Sequence, residues 1–516
     1  MNSTLTSISA LSPRVLLCIL DGFGKNPADL KNAVLHAHKP TIDSLFAHYP
    51  WTTLQPGGEP VGLPKGVAGN SEVGHLNLGA GRPVRQDLVR INEAVALGTF
   101  KDMPQWNGLM SKARETGRLH LIGLLSDGGV HAHIEHLKHI LDLVREEKFE
   151  VYLHAFTDGR DTGKDKGVGY VREILEHDGF TFASMQGRSI GMDRDRRWEK
   201  IKSCIDMLTG VAGHVGENPV AYIESEYALG RFDEFVHPAL FSAEGAIRTG
   251  DSVFFFNYRP DRARQLTLAF NDPTFAEFPV HVHPGHWLCM SPYVQDEIPT
   301  LPILFDKEKI PGTLAEYLSI KGKKQFKIAE TEKYAHVTYF FNGGETKPFV
   351  GEEQLLIPSN REVATYDEKP SMSAPQVCKA LLHKLADESF SLYVVNFANC
   401  DMVGHTGNYE ATIKAVEAVD SCLELLVAKC AQENVTLLVT ADHGNADQMV
   451  YPDGSTHTSH TDAEVPFIVV HPSLKDQALT LNPGLKTAAL KDVAPTILSI
   501  LDLPKPSDFT GEAVFL

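Results

Sequence analysis

Residues 67–79 read VAGNSEVGHLNLG. One serine, Ser71, stands among Gly69, Asn70 and Gly74, with Glu72 and His75 beside it. The stretch is either a surface turn or the seat of a nucleophile. A serine hydroxyl is a weak nucleophile and needs a base or a metal to activate it. Candidates for that help lie far away in the chain. DMVGH (401–405) offers Asp401 and His405, four residues apart and therefore on one side of any helical turn formed there. TADHGN (440–445) offers Asp442 and His443, THTSHTD (456–462) offers His457 and His460, and CILDGFG offers Asp21. A single Asp or His after a strand is more often structural. Several together form a set of oxygen and nitrogen donors that suits Mn²⁺, Zn²⁺ or Mg²⁺, with imidazole favouring the first two. Two such ions could activate an oxygen nucleophile and clamp a phosphoryl group.

A second constellation occupies 119–264. SDGGVHAH (126–133) contains His131, and TDGRD (157–161) contains Arg160 and Asp161. GRSIGMDRDRRW (187–198) contains Arg188, Arg194, Arg196 and Arg197, and NYRPDRAR (257–264) contains Arg259, Arg262 and Arg264. Arginine suits sites where planar anions are gripped by paired donors. The competing reading for each is a surface ion pair, weakest for Arg259 and Arg262, which directly follow the apolar FFFNY. The group reads as a phosphate or carboxylate site.

The elements that must position these residues are short apolar runs ending in polar residues: 15–22, 119–129, 151–161, 253–262, 392–401 and 436–444. Each reads as a buried strand. Amphipathic helical patterns lie between them, as at 134–146 and 411–430. Such alternation predicts α/β domains with largely parallel sheets, where ligands sit beyond the carboxyl ends of the strands. At 516 residues the chain exceeds one ordinary domain. A proline-rich stretch at 273–313 is a candidate domain edge. The formal charge of −18 argues against a nucleic-acid partner. Seven scattered cysteines fit a reducing compartment, the cytoplasm. Residues 1–13 lack a basic stretch followed by an apolar one, so no signal peptide is expected. No apolar run reaches membrane-spanning length, so no membrane partner is expected either.

VLLCILDGFG, GNSEVGHLNLGAGR, SDGGVHAH, FTDGRD, MDRDRRW, FFNYRPDR, ATYDEKPSMSA, NCDMVGHTG, TADHGNAD and THTSHT occur in this order. With them the chain closely resembles the cofactor-independent phosphoglycerate mutases of the alkaline phosphatase-like superfamily, from about residue 14 to 510. The resemblance implies a discontinuous phosphatase-like metal-binding domain, 1–82 plus 307–516, with a second α/β domain, 86–303, inserted through linkers 83–85 and 304–306. It implies that Ser71 becomes phosphorylated, at the start of a helix and among glycines that admit the phosphoryl group. One divalent ion would be held by Asp401, His405 and His460, and the other by Asp21, Ser71, Asp442 and His443. Mn²⁺ is the expected ion, with Mg²⁺, Co²⁺ or Zn²⁺ used in some members. Phosphoglycerate would be bound by His131, Arg160, Asp161, Arg188, Arg194, Arg259, Arg262 and Lys333. His75 is a weaker candidate for positioning.

The implied reaction interconverts 3-phospho-D-glycerate and 2-phospho-D-glycerate without 2,3-bisphosphoglycerate. Asp161 is expected to move the proton of the glycerate hydroxyls, with His131 as its rival, while Lys333 and the arginines neutralise phosphoryl charge. An insert closing over the metal-binding domain would retain glycerate and exclude water. The expected enzyme is a monomer. The alternatives are a metal-dependent phosphomonoester hydrolase using the same serine and a non-catalytic binder of phosphorylated metabolites.

Overall fold

Branched and aromatic runs build two seven-stranded sheets in the computed structural model, which describes residues 8–216, 218–307 and 309–516. The expectation about a leader in 1–13 falls partly on residues 1–7, outside the described residues. In chain order the strands are β1 Val15–Leu20, β2 Trp51–Leu54, β3 Arg118–Leu125, β4 Glu150–Thr157, β5 Thr181–Gly187, β6 His214–Val215 and β7 Ala239–Leu240. There follow β8 Ser252–Phe255, β9 His286–Cys289, β10 Lys324–Glu330, β11 Glu352–Ile357, β12 Phe390–Phe397, β13 Thr436–Thr440 and β14 Val465–Val470. The chain divides into two compact units, Met1–Gln86 with Lys309–Leu516, and Asp87–Glu308.

The first unit carries the sheet β11-β10-β12-β1-β13-β14-β2. Its first five strands are parallel, while β14 runs antiparallel to both β13 and β2. Leu16, Ile19, Val394, Val395 and Leu438 are fully buried in its core, as expected for a sheet covered on both faces. The amphipathic pattern at 411–430 lies in the helix Tyr409–Gln432, whose N-cap Asn408 accepts a bond from Ala411 N. The register pairs Leu20 with Phe397 and Ile19 with Thr440. The carboxyl ends of β12, β1 and β13 are therefore level, and whatever follows them is brought together.

The second unit carries β6-β7-β5-β4-β3-β8-β9, with β7 antiparallel to β5 and the other pairs parallel. Leu125 pairs with Thr157, and Thr157 with Gly187, so these carboxyl ends are level too. The helix Ile134–Val144 buries Leu137, Ile140 and Leu141 against this sheet's core. Among the described residues no helix is long and apolar enough to cross a membrane.

The helix Ser71–Ala80 packs hard against the turn that follows the π-helical segment His336–Phe340. A Cβ added at Gly79 would stand 2.0 Å from the Phe341 carbonyl oxygen, which is backbone and cannot step aside. Gly79→Ala is expected to destabilise the protein by about 1–3 kcal/mol, read as a lower midpoint in urea. An unchanged midpoint would show that the two segments can separate at no cost.

Candidate active site

Four neighbouring strands of the first unit release their chemistry at one edge. β1 ends directly before Asp21, and β13 before Ala441, Asp442 and His443. β12 leads into the short helix Asn399–Gly404, which carries Asp401 and is capped by His405. β10 leads into the helix Thr331–Ala335, which carries Lys333. His460 lies on the segment joining β13 to β14, and Ser71 is the first residue of its helix, with the Asn70 side chain accepting from Val73 N. Gly22 (φ +75°) lets β1 pass the Asp401 backbone, where a Cβ would stand 2.7 Å from the Asp401 nitrogen.

Ser71 Oγ sits 2.6 Å from Lys333 Nζ, 2.9 Å from His443 Nε2 and 3.3 Å from Asp21 Oδ1. Lys333 Nζ also lies 2.8 Å from Asp21 Oδ1 and 2.7 Å from Asp401 Oδ2. Three imidazoles turn the same edge inward. His443 Nδ1 meets Gly444 O at 3.1 Å, His405 Nδ1 meets Thr458 O at 2.7 Å, and His460 Nδ1 meets Gly69 O at 3.0 Å. Each Nδ1–H donates to a carbonyl, which leaves each Nε2 lone pair facing the carboxylates, the arrangement expected of metal-binding histidines. His405 Nε2 and His460 Nε2 lie 3.1 and 3.4 Å from Asp401 Oδ1 and 3.2 Å from each other. His443 Nε2 stands between the two groups, 3.5 Å from Asp21 Oδ1 and 4.0 Å from Asp401 Oδ1.

The donor set fits divalent cations. Asp401, His443 and His460 offer converging ligand atoms, and so do Asp21, Asp442 and His443. Three buried carboxylates, Asp21, Asp401 and Asp442, face one ammonium, that of Lys333. Asp442 Oδ2 is shielded from solvent and accepts no well-aligned hydrogen bond; its nearest imidazole nitrogen is His75 Nδ1 at 3.3 Å. The surplus is negative, as a cation site requires. It also shapes the titration of the groups. Burial, then Asp442, pushes the Asp21 carboxyl up to about 6. For Asp401, burial is outweighed by the charge of Lys333, which holds it well below the carboxylate range. Burial opposes the charge of Lys333, but Asp21 and Asp401 outweigh it and push the ammonium's pKa up.

Three residues support this edge: two asparagines that sequence reasoning passed over, and His75, the weaker candidate for positioning. Asn445 Nδ2 donates to Asp401 Oδ1 at 3.1 Å, and Asn396 Nδ2 donates to Asp21 Oδ2 at 2.7 Å. His75 joins the same frame: its Nδ1 meets Ser71 O at 2.8 Å, and its Nε2 meets Asn396 Nδ2 at 3.1 Å. The glycines near Ser71 prove to serve packing. A Cβ on Gly69 would meet Pro56 O at 2.3 Å, and one on Gly74 would meet Asp442 Cβ at 2.7 Å. Close approach of neighbouring segments is thus a second reason for glycine at these positions. His457 is buried and pairs its ring with Tyr451 rather than joining the ligand sets.

In the second unit the expected anion-site residues again follow strand ends. Arg188, 1% exposed, directs Nη1 to Asp158 Oδ1 at 2.6 Å and Asp161 Oδ2 at 2.5 Å. Asp158 also accepts from Ser126 Oγ and from the backbone N–H groups of Arg160 and Asp161, so it shapes the TDGRD loop. It stands inside a motif whose other charged residues had drawn attention. His131 is buried, with Nε2 3.9 Å from Asp161 Oδ2 and Nδ1 3.6 Å from Asp261 Oδ1. Burial, then Arg188, pushes its pKa down to about 4. Arg194 and Arg259 both face Asp261, Arg262 donates to Met192 O at 3.1 Å, and Arg160 faces Glu234 at 3.4 Å.

Because the lone ammonium offsets three buried carboxylates, Lys333→Met is expected to cost the metal-free protein about 3–5 kcal/mol. Added Mn²⁺ should restore much of the loss. Unfolding in urea, with chelator and with Mn²⁺, measures both; equal midpoints for variant and wild type under chelation would rule out the lysine as the counter-charge.

A family model described as the metalloenzyme superfamily matches residues 13–505. The 2,3-bisphosphoglycerate-independent phosphoglycerate mutase of Moorella thermoacetica is 45% identical over 522 residues, covering 98% of this chain and 99% of that protein. Protein 1 of that name from Methanosarcina barkeri is 43% identical, with 97% and 98% covered. A crystal structure of Leishmania mexicana phosphoglycerate mutase, obtained at low cobalt concentration, superposes with a TM-score of 0.74 at 29% identity, covering 100% of this chain and 99% of that one. Similarity of this depth along both units makes the kinship plain: the chain belongs to the 2,3-bisphosphoglycerate-independent phosphoglycerate mutases, within the metalloenzyme superfamily.

Proposed function

We propose that the protein interconverts 3-phospho-D-glycerate and 2-phospho-D-glycerate through a phosphoserine at Ser71, without 2,3-bisphosphoglycerate. The observation that carries this reading is the Ser71 hydroxyl, held within 2.6–3.3 Å of Lys333, His443 and Asp21 in a chain of this family. The first unit is assigned the phosphoryl chemistry and the second the recognition of substrate. Family membership assigns both to one reaction.

Asp401, His405 and His460 would hold one divalent ion, and Asp21, Ser71, Asp442 and His443 the other. The mixed set of imidazoles and carboxylates suits Mn²⁺ or Zn²⁺, and we take Mn²⁺ as the ion. Bound ions would lower the pKa of the serine hydroxyl and offset phosphoryl charge. The chain's own residues do the rest. Ser71 Oγ, its own proton already released to solvent, forms a bond to phosphorus as the bond from phosphorus to the glycerate oxygen breaks, and that oxygen gains a proton. On return the other glycerate hydroxyl loses a proton as its oxygen takes the phosphoryl group from Ser71. One proton enters and one leaves. Asp161 is assigned to move it, with His131 alongside. Lys333 donates toward phosphoryl oxygens, and Arg160, Arg188, Arg194, Arg259 and Arg262 hold the substrate's anionic groups.

Seven free, buried cysteines support a reducing compartment, which we take to be the cytoplasm. A single chain carries every residue assigned here, so a monomer suffices. The net charge of −18 favours neither nucleic acid nor an anionic membrane surface as a partner.

Incubation of 3-phosphoglycerate with the Mn²⁺-loaded protein, without 2,3-bisphosphoglycerate, should yield 2-phosphoglycerate. Free phosphate would mark a hydrolase, and no turnover a binder. Ser71→Ala is expected to lose about a thousandfold or more in kcat while melting as wild type does, and mass spectrometry should place the phosphoryl adduct on Ser71. An adduct elsewhere with an active Ser71→Ala would sink the assignment. Asp161→Asn keeps size and polarity but loses the proton acceptor, so kcat should fall about 10²–10⁴-fold with KM little changed. Single-turnover formation of phosphoserine should fall less, which rapid quench can resolve. Unchanged isomerisation would pass the proton to His131.

A further inference from the structure

The anion site of the second unit already contains an anion of its own. Asp261 Oδ2 accepts from Arg194 Nη1 at 2.8 Å, and its Oδ1 lies 3.2 Å from Arg259 Nε and 3.6 Å from His131 Nδ1. This carboxylate differs in kind from its neighbour Asp158. Asp158 and Arg188 are each 1% exposed, and Asp158 is tied by backbone and hydroxyl donors as well. Side-chain exposure is 31% for Asp261, 45% for Arg194 and 50% for Arg259. Solvent and solutes therefore reach both arginines. Asp261 Oδ1 is shielded but has no well-aligned donor, so one of its two oxygens is poorly satisfied. Exposed ion pairs of this type are weak and exchange readily. The backbone beneath is fixed, since Tyr258 N donates to His131 O at 2.8 Å and Arg264 N to Pro260 O at 3.1 Å. The side chain can rotate away while its attachment stays beside the arginines.

The charge balance points the same way. Arg160, Arg188, Arg194, Arg259 and Arg262 are five guanidinium groups facing four carboxylates, Glu234, Asp158, Asp161 and Asp261. Among the described residues Arg262 donates its hydrogen bond to a carbonyl, that of Met192, and burial, then Arg188 and Arg194, pushes its pKa down. Burial raises the Asp261 carboxyl, but Arg259 and the Arg194 hydrogen bond outweigh it.

We propose that Asp261 is an internal competitor for the bound anion. Its carboxylate occupies Arg194 and Arg259 until a phosphate-class dianion displaces it. Monoanions, with half the charge, displace it poorly. Asp261 thereby loosens the hold on substrate and product and makes the site selective for dianions. The proposal rests on the reading of this cluster as the substrate's anion site and names a specificity-determining residue within it.

The test is sulfate binding to the full-length, Mn²⁺-loaded protein by calorimetry, with formate as the monoanion, for wild type, Asp261→Asn and Asp261→Ser. Melting curves establish that each variant is folded. Both variants should bind sulfate at least about threefold more tightly and prefer it less over formate. The double variant Arg259→Ala/Asp261→Asn should lose the gain. Equal or weaker sulfate binding in folded Asp261→Asn and Asp261→Ser would overturn the proposal, because a residue that merely organises the arginines would weaken binding when neutralised. A gain that survives Arg259→Ala would also overturn it, by placing the anion elsewhere. Sulfate binding needs no turnover, so a wild type without mutase activity would refute the functional reading and leave this comparison intact.

Discussion

Burying three carboxylates beside a serine is the constraint on which the first unit depends. Asp21 and Asp442 are fully buried and Asp401 is 2% exposed. Each buried charge costs several kcal/mol unless it is paired. Lys333 supplies the one ammonium, touching Asp21, Asp401 and Ser71 at 2.6–2.8 Å. A lysine can sit there only because β10 delivers its helix to the edge where β12, β1 and β13 end. The parallel register is thus an electrostatic requirement as well as a packing one. A side chain deep in the sheet follows the same rule: Lys327 of β10 is fully buried and answered by Glu352 at 3.1 Å.

The two units solve opposite problems with the same architecture. In each, a largely parallel sheet gathers polar residues at level strand ends. The first unit leaves a surplus of negative charge and converging Nε2 lone pairs, which suits cations. The second leaves a surplus of positive charge on arginine, which suits anions. Neither tendency is visible in the net charge of −18, because local surroundings set the local sign. The imidazoles show how second contacts decide function. Carbonyls of Gly444, Thr458 and Gly69 fix the tautomers of His443, His405 and His460 and so choose which nitrogen faces inward.

Much of the frame was legible in short stretches. The apolar runs at 15–22, 119–129, 151–161, 253–262, 392–401 and 436–444 fall on β1, β3, β4, β8, β12 and β13, each strand starting with its run or one or two residues before it. Strands with polar interruptions gave weaker signals: KQFKIAE of β10 carries the buried Gln325 and Lys327, and EEQLLI of β11 is an edge strand with mixed exposure. Hydropathy reads a buried lysine as a surface residue, since its partner Glu352 lies on another strand and is invisible to a local pattern.

The sequence by itself determined the residue types, their motifs and the local spacing. Asp401 and His405 four apart on a helical turn, Ser71 opening a helix, and arginines after apolar runs are all consequences of neighbouring residues, because helix and strand periodicity act over a few positions. Tertiary structure alone decided which of these meet. Ser71 and Lys333 are 262 residues apart in the chain and 2.6 Å apart in space. Asn445 and Asn396 behind the carboxylates, Asp158 within the TDGRD loop and Asp261 between two arginines acquire their roles the same way. Hydrogen bonds and ion pairs act over a few ångströms whatever the separation along the chain, so their partners are set by strand order and register.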